Sequence, residues 1–146
     1  MTTEAIRVLF VCTHNSARSQ LAEALLQLQG GSVFEVRSAG TMATRVNPFA
    51  IRVLGERGID WSGARSKSID EFLDQPFDYV VTVCDDARDS CPVFPGARRT
   101  LHWNLEDPSE VQGTDDEKLD AFRRTADEIM GRLALFVQEA RSVRAV

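Results

Sequence analysis

The chain has 146 residues, of which 43% are hydrophobic and 27% are charged, with 17 basic and 22 acidic side chains and a net charge of −5. This length predicts a single domain over 1–146, and no apolar run approaches the roughly 18 residues that a membrane span needs. The dispersed acidic charge disfavours a nucleic-acid binder, and the segment around Glu4 is unlike a signal peptide. We therefore expect a soluble, cytoplasmic protein that binds neither nucleic acid nor membrane.

The first part of the chain alternates between strand and helix patterns. Residues 6–11 are almost all apolar, which is typical of a strand buried on both faces. Residues 19–29 predict a helix that ends at Gly30 and Gly31, and residues 34–38 predict a second strand. The face of this helix that we expect to be buried carries Leu21, Leu25 and Leu28.

A second group of elements begins at Asn47. Asn47 and Pro48 are residue types that begin helices, and we expect Ile51 and Leu54 on the buried side of the helix that follows. Three more segments are predicted as a short helix, a third strand and a fourth strand, at 68–73, 78–83 and 99–103.

The last predicted element is a long helix. Thr114 and Glu117 match a capping box, in which each side chain bonds to the backbone N–H of the other residue. Apolar residues then recur at helical spacing, at Leu119, Phe122, Ala126, Ile129, Leu133, Phe136, Val137 and Ala140. Strands that alternate with helices predict a parallel sheet, whose ligands bind beyond the carboxyl ends of the strands.

The strongest functional signal is the polar segment 12–19, between the first strand and the first helix. The spacing of Cys12 and Arg18 permits a tight loop whose backbone N–H groups converge near the positive end of the helix. Arg18 would hold two oxygens of a tetrahedral anion, and the same field favours a thiolate at Cys12, to which Ser19 could donate a hydrogen bond. The plainer alternative is that a cysteine ending a buried strand is only a small apolar residue.

Four segments of the chain carry a family resemblance. They are VLFVCTHNSARSQLAEALL, VRSAG, VVTVCDDARDSCP and LEDPSE, at residues 8–26, 36–40, 80–92 and 105–110. Together they resemble the low-molecular-weight phosphotyrosine phosphatase family, in its thioredoxin-coupled arsenate reductase branch. The resemblance implies an α/β fold of three layers, with a four-stranded parallel sheet flanked by helices.

The same resemblance implies roles for individual residues. Cys12 would be the nucleophile, Arg18 the clamp on the anion, and Asn15 the residue that holds the loop in shape. Asp107, in an Asp-Pro pair, would be the general acid, although such pairs are also common turns. The residues expected to bind the substrate are Thr13, His14, Asn15, Ser16, Ala17, Arg18 and Ser19.

Two further cysteines extend this chemistry. Cys84 follows the third predicted strand and should emerge at the same edge as Cys12, and Cys91 lies seven residues later. In a helix the Cα atoms of Cys84 and Cys91 would be about 10 Å apart, whereas a disulfide needs roughly 7 Å or less. A bond between them therefore requires the intervening segment to unwind or loop out. The segment has three aspartates and few apolar residues, so little packing would be lost if it unwound.

The resemblance implies that the three cysteines form a relay for arsenic detoxification. Cys12 attacks arsenate and forms a covalent adduct, Cys84 attacks Cys12 and expels arsenite, and Cys91 attacks Cys84 and frees Cys12. Thioredoxin then reduces the resulting redox-active disulfide by exchange. The alternative is that Cys84 is only a buried strand-end residue and Cys91 an incidental surface thiol.

The residues after the Asp-Pro pair depart from the phosphatase pattern. Phosphotyrosine phosphatases of this fold usually place aromatic residues there to hold the substrate ring. Ser109 and Glu110 follow in this chain, which argues against a preference for tyrosine phosphate.

A potassium site near the loop is a further point raised by the resemblance, since some reductases of this type bind the ion. Asn15, Glu23 and Ser38 fit such a site, but Arg65 and Lys67 fall where other ligands are expected. We predict that the Lys67 ammonium takes the place of the ion and that no metal binds. The histidines and cysteines form no zinc pattern, and the chain has no Gly-rich nucleotide motif, so we expect no cofactor.

Three functions remain open from the sequence. The first is thioredoxin-coupled arsenate reduction by a monomer, with phosphate and sulfate as substrate mimics. The second is phosphomonoester hydrolysis through a cysteinyl-phosphate intermediate, for which Cys12, Arg18 and Asp107 suffice and which we expect as a residual activity in either case. Cys84 and Cys91 have no role in that hydrolysis. The third is a non-catalytic oxyanion sensor or redox-regulated binding module, which would not need Asp107.

Overall fold

The computed structural model describes residues 4–85 and 94–145, with only the backbone of residues 144 and 145. Within these ranges four strands form one parallel sheet in the order β2-β1-β3-β4. The strands are β1 (Ile6–Cys12), β2 (Phe34–Gly40), β3 (Phe77–Cys84) and β4 (Ala97–Asn104). The α-helices are α1 (Arg18–Gly30), α2 (Pro48–Glu56) and α3 (Asp115–Ala145), and short 3-10 helices lie at Gly31–Val33, Ile69–Phe72 and Pro108–Glu110.

The side chains of β1, one of the two inner strands, point alternately into two apolar layers, one on each face of the sheet. On one face of the sheet, Val8 and Phe10 pack with residues of all three α-helices in the main core. On the other face, Leu9 and Val11 pack with Phe72 of the short helix Ile69–Phe72. The predicted fold, a four-stranded parallel sheet flanked by helices, is therefore confirmed.

The strand register brings the chemistry of the chain to one edge of the sheet. Cys12 pairs with Gly40 at the end of β2, and Cys84 pairs with Asn104 at the end of β4. Because β1 and β3 are neighbours, the two cysteines end adjacent strands. This is the edge at which parallel sheets bind their ligands.

The predicted starts of α2 and α3 are confirmed by capping hydrogen bonds. Asn47 Oδ1 accepts from Phe49 N at 2.8 Å, which caps α2. Thr114 and Glu117 form the reciprocal capping box before α3, with backbone-to-side-chain distances of 3.1 and 3.2 Å. No described helix is long and apolar enough to cross a membrane.

Two side chains lie differently from their predicted positions. Leu28 is 58% exposed, so its predicted place on the buried face of α1 is wrong. The buried part of α1 ends at Leu26, because the last turn of the helix extends past the core. Ile51 is only partly buried, and the buried side of α2 is formed by Ala50, Val53 and Leu54.

Candidate active site

The loop between β1 and α1 is held by hydrogen bonds to its carbonyl oxygens. The donors lie in segment 41–47, which follows β2, and at Ser66. Met42 N donates to Thr13 O at 2.8 Å, Ser66 Oγ to His14 O at 2.8 Å and Asn47 N to Ser16 O at 2.9 Å. Three loop carbonyls are thus directed towards neighbouring segments.

The loop N–H groups point the other way. In a trans peptide the N–H is directed opposite to the preceding C=O, and the described residues contain no cis peptide. The N–H groups of His14, Asn15 and Ala17 therefore face away from the segments that bind the carbonyls. Asn15 N shows this directly, because it donates to Cys12 Sγ at 3.3 Å. Such converging N–H groups form an anion-binding concavity.

Gly40 lets the end of β2 approach the loop closely. A Cβ atom at this position would lie 2.5 Å from Thr13 O and 2.7 Å from Asn15 N, which are both backbone atoms. Backbone cannot move aside as a flexible side chain can, so any larger residue here would displace the loop.

Asn15 connects the loop to the rest of the site. It has a φ of 50°, a left-handed conformation that asparagine tolerates better than most residues. Its Oδ1 accepts from Gln20 Nε2 at 2.9 Å and from Lys67 N at 2.8 Å. Its Nδ2 donates to Ser19 Oγ at 2.7 Å and to Ser38 Oγ at 2.9 Å. These are the contacts expected of a residue that fixes the loop.

Cys12 is a buried free thiol at the base of the loop. Its Sγ accepts from Asn15 N and lies 2.8 Å from Ser19 Oγ. Helix α1 begins at Arg18, so the positive end of its dipole lies beside the loop. These surroundings favour a bound anion next to the sulfur.

Arg18 and Asp107 complete the charged part of the site. The Arg18 side chain is only 4% exposed; its Nη1 donates to Leu105 O at 3.0 Å and its Nη2 lies 3.5 Å from Asp107 Oδ2. The other oxygen of Asp107 accepts from Ser109 N at 2.9 Å and Ser109 Oγ at 2.7 Å. Ser109 therefore orients the carboxylate, and Oδ2 is the oxygen that faces Arg18.

These groups line a small cavity of about 170 Å³. Its walls are formed by Cys12, His14, Ser16, Ala17, Arg18, Thr44, Asp107 and Ser109. Typical sites for drug-sized ligands are about 300–1,000 Å³, so this cavity suits a small ion with a few waters. A larger cavity of about 500 Å³ lies at the amino ends of the strands, near Ile6, Asp78 and Arg98, away from Cys12 and Cys84.

Cys84 is fully buried at the end of β3, next to the strand that ends at Cys12. Its sulfur is disulfide-bonded, whereas that of Cys12 is free. Cys91, the third predicted participant, lies outside the described residues.

Comparison with known proteins assigns the family. The model of the low molecular weight phosphotyrosine protein phosphatases matches residues 7–144. The chain belongs to this family. A curated relative, the arsenate reductase of Halalkalibacterium halodurans, is 44% identical over 131 residues, which cover 90% of this chain and 94% of the relative.

Solved structures that are similar to this chain include arsenate reductases. An arsenate reductase in a phosphate-binding state has a TM-score of 0.77 and 32% identity, covering 92% of this chain and 98% of that one. A thioredoxin-dependent arsenate reductase of Corynebacterium glutamicum has a TM-score of 0.62 and 34% identity, covering 92% of this chain and 65% of that one.

A partly buried ion pair lies behind the loop between β1 and α1. Lys67 Nζ is 3.4 Å from Glu23 Oε1 and donates to Arg65 O at 3.1 Å. Ser38 Oγ donates to the same Glu23 oxygen. The ammonium thus occupies the neighbourhood in which the sequence suggested a potassium site. The described residues contain no cluster of histidine, cysteine and carboxylate side chains able to hold a metal, and the absence of a bound metal stays a prediction.

Several residues of the site were missed from the sequence. Gln20 is fully buried; its Nε2 donates to Asn15 and to Arg65 O, and its Oε1 accepts from Trp61 Nε1 at 2.8 Å. A polar residue within the buried half of α1 was the available signal. Ser66 contacts the loop from a distant segment, and nothing local in the sequence marks it.

Proposed function

We propose that this chain reduces arsenate to arsenite with electrons from its own thiols, which thioredoxin restores. The observation that carries the proposal is the free thiol of Cys12 beside converging N–H groups, in a cavity that Arg18 and Asp107 also line. Relatives that match nearly the whole chain are arsenate reductases. The role in the cell would be arsenic detoxification in the cytoplasm.

The first step forms a bond between sulfur and arsenic. Arsenate binds with its oxygens against the loop N–H groups and the Arg18 guanidinium. The Cys12 thiolate attacks arsenic while one arsenic–oxygen bond breaks. Asp107 donates a proton to the departing oxygen, which leaves as water. Arsenic is still As(V) in this adduct.

The second step transfers two electrons. The Cys84 thiolate attacks the sulfur of Cys12, so a sulfur–sulfur bond forms as the sulfur–arsenic bond breaks. The electron pair of the broken bond stays on arsenic, which becomes As(III) and leaves as arsenite. Cys91 then attacks Cys84 and releases Cys12 as a thiolate. Thioredoxin reduces the disulfide between Cys84 and Cys91 and is itself oxidised.

The placement of the cysteines supports this order. Cys84 ends the strand that pairs with the strand of Cys12, so both sulfurs belong to one edge of the sheet. Electron supply by thioredoxin is further supported by the matching thioredoxin-dependent enzyme.

Hydrolysis of phosphomonoesters is the second candidate, and the family assignment favours it. Phosphate and arsenate share shape and charge, so the same loop, Arg18 and Asp107 serve both. Phosphorus does not accept electrons from a thiol, however, so hydrolysis leaves Cys84 without a chemical role. No phenylalanine, tyrosine or tryptophan side chain lines the cavity among the described residues, which does not suit a phosphotyrosine ring.

One variant separates the two reactions. Cys84→Ser is expected to abolish arsenite release while hydrolysis of a generic aryl phosphate stays near the wild-type rate. Cys12→Ser is the control and should abolish both. If Cys84→Ser releases arsenite at the wild-type rate, the relay is wrong; if aryl phosphate hydrolysis is lost as well, the variant has damaged the site itself.

The electron donor is tested in a separate assay. The wild-type chain is supplied with arsenate and either thioredoxin, thioredoxin reductase and NADPH, or glutathione with glutaredoxin. We expect sustained turnover with the thioredoxin system and little with the second. The reverse result would assign the chain to a small-thiol donor and leave the first two steps intact.

A further inference from the structure

The cavity of about 500 Å³ at the amino ends of the strands is separate from the one that Cys12 lines. Its volume is within the range of roughly 300–1,000 Å³ that is typical of small-molecule sites. The lining is formed by the starts of β1, β3 and β4, by the two residues before β1, and by the last two turns of α3. None of the described lining residues takes part in the proposed reaction, so a ligand bound here would not be its substrate.

Tyr79 and Arg99 are cross-strand neighbours in this lining. The register pairs Tyr79 of β3 with Arg99 of β4, and side chains paired in this way project from the same face of a sheet. Tyr79 packs in the main core, to which Phe136 and Ala140 of α3 also belong. Both side chains therefore lie on the face of the sheet that α3 covers.

The Tyr79 hydroxyl has no hydrogen-bond partner among the described residues. The tyrosine is 8% exposed, and its ring packs edge-on against Phe136, with 5.0 Å between the ring centroids. Within the described part of the chain, Thr13 Oγ1 is the only fully buried side-chain polar atom that lacks a partner. The Tyr79 hydroxyl is therefore not sealed inside the core. The open space that it reaches is the cavity that Tyr79 lines.

Arg99 adds a positive charge that no carboxylate of the described residues pairs with. Its neighbour Arg98 is engaged, because Arg98 Nη1 lies 3.7 Å from Asp78 Oδ1. The other oxygen of Asp78 accepts from Arg7 N at 2.8 Å, so an amine ligand would have to compete for this carboxylate. The two groups without partners are a guanidinium and a hydroxyl, and both can donate to an anionic oxygen.

Negative charge near the cavity limits the charge of the ligand. Glu4 and Asp78 are part of the lining, and the carboxyl end of α3 is the negative end of its helix dipole. These groups would repel a doubly charged phosphate more strongly than a singly charged carboxylate. A carboxylate also matches the planar guanidinium of Arg99.

Apolar side chains form the rest of the contact surface. Ala140 and Val143 are three positions apart on α3 and share one face of the helix, and Ile6 is the first residue of β1. Val143 is 41% exposed, so its methyl groups are available to a ligand. A ligand that fits this cavity therefore has an apolar part next to its charged group.

We propose that this cavity binds a small organic acid with one carboxylate group, which the Arg99 guanidinium and the Tyr79 hydroxyl hold. The apolar part of the acid packs against Val143 and the neighbouring side chains of α3 and β1. The proposal does not rest on the proposed function, since it uses neither Cys12 nor any group around it.

Benzoate is the probe, because it combines one carboxylate with an apolar ring. Benzamide is the matched control, since it has nearly the same shape and no charge. Binding is followed in amide NMR spectra of the full chain, with and without inorganic phosphate. Phosphate is expected to compete for the cavity that Cys12 lines but not for this one, so it separates the two places where a carboxylate can bind.

We expect benzoate to bind with a Kd on the order of 1 mM, as suits a ligand with so few atoms. The shifted amide signals should belong to residues 5–6, 78–79, 98–99 and 140–143. Tyr79→Phe removes only the hydroxyl and should weaken binding about three- to tenfold. Arg99→Gln removes the charge and should weaken it about tenfold or more. Arg124→Gln, the same substitution at an exposed position of α3, should bind as the wild type does.

The proposal is overturned if benzoate gives no saturable shift at concentrations about tenfold above that Kd, or if phosphate abolishes the shifts. Equal binding of benzamide would leave only an apolar contact and would also overturn it. The same holds if either Tyr79→Phe or Arg99→Gln binds benzoate like the wild type. No arm of the experiment uses arsenate, so a failure of the proposed function changes none of these outcomes.

Discussion

Arg18 and Asp107 form an ion pair in the lining of the cavity that Cys12 also lines, with 3.5 Å between Arg18 Nη2 and Asp107 Oδ2. Arg18 also donates to Leu105 O, two residues before Asp107 in the chain. The proposed anion clamp, Arg18, and the proposed acid, Asp107, are therefore held by one segment after β4. An anion that enters this cavity meets the Arg18 guanidinium, which can bind its oxygens, and the Asp107 carboxyl group, which can protonate a leaving oxygen.

Asp107→Asn tests the role of the acid. Asparagine keeps the shape and the contact with Ser109 but cannot donate a proton to a leaving oxygen, so aryl phosphate hydrolysis should fall by about 10²–10⁴-fold. Phosphate binding should persist, because a negative charge has been removed beside the anion. Glu106→Gln, the exposed neighbour, is the control. A rate within twofold of the wild type would exclude Asp107 as the acid.

Arg18→Lys tests whether the planar guanidinium group of Arg18 is needed to bind the anion. A lysine keeps the charge but cannot donate to Leu105 O and hold two anion oxygens in one plane. We expect phosphate to protect Cys12 from alkylation about 10- to 100-fold less well, the range for a lost charge-assisted bond. Equal protection in both proteins would show that the loop N–H groups suffice for binding.

Gly40→Ala tests the close approach of β2 to the loop. The new Cβ would lie 2.5 Å from Thr13 O, so the loop must shift, at a cost of about 1–3 kcal/mol in the free energy of unfolding. Phosphate binding should weaken in parallel. Gly63→Ala is the matched control, since a Cβ there meets no atom within 4 Å. Denaturant unfolding of both variants gives the comparison, and equal stabilities would contradict the argument.

The exposed pair of Glu56 on α2 and Arg123 on α3 predicts a pH dependence of stability. The hydrogen bond from Arg123 lowers the pKa of Glu56 below its ordinary value. A carboxyl group with a lowered pKa stabilises the folded state above its ordinary pKa, and this contribution is lost as the pH falls through the lowered one.

Arg123→Gln should therefore lower the Tm at neutral pH, and the difference from the wild type should disappear in acid. The difference should also shrink at high salt, because the pair is exposed. Arg124→Gln, at an exposed neighbouring position, serves as the control. A Tm difference that is the same at neutral and acidic pH would rule out this pair as its source.

Much of the fold was predictable because its signals are local. Asn47 caps α2 through a bond to a residue two positions away, and the Thr114 capping box spans three positions. The position of Cys12 between an apolar strand and a helix follows from the same short range. Such signals depend on neighbours in the sequence, which are known before any folding is considered.

The support of the loop was not predictable in the same way. Ser66 reaches His14 O across 52 positions, and Gly40 meets the loop only because β2 lies beside β1. Gln20 is buried because the loop and the distant segment 61–65 both contact it. Leu28 is exposed because the last turn of α1 extends past the core. Each of these depends on how distant segments pack.

The central claim is that three thiols carry two electrons to one arsenic atom, and a single-turnover experiment tests it most directly. The fully reduced chain is mixed with excess arsenate and no external reductant, and arsenite and free thiols are counted. We predict about one arsenite per chain, with the Cys12 thiol free at the end and the other two thiols lost, followed by renewed release when a reductant is added. Arsenite formed without loss of thiols, or the same yield from Cys84→Ser, would contradict the account.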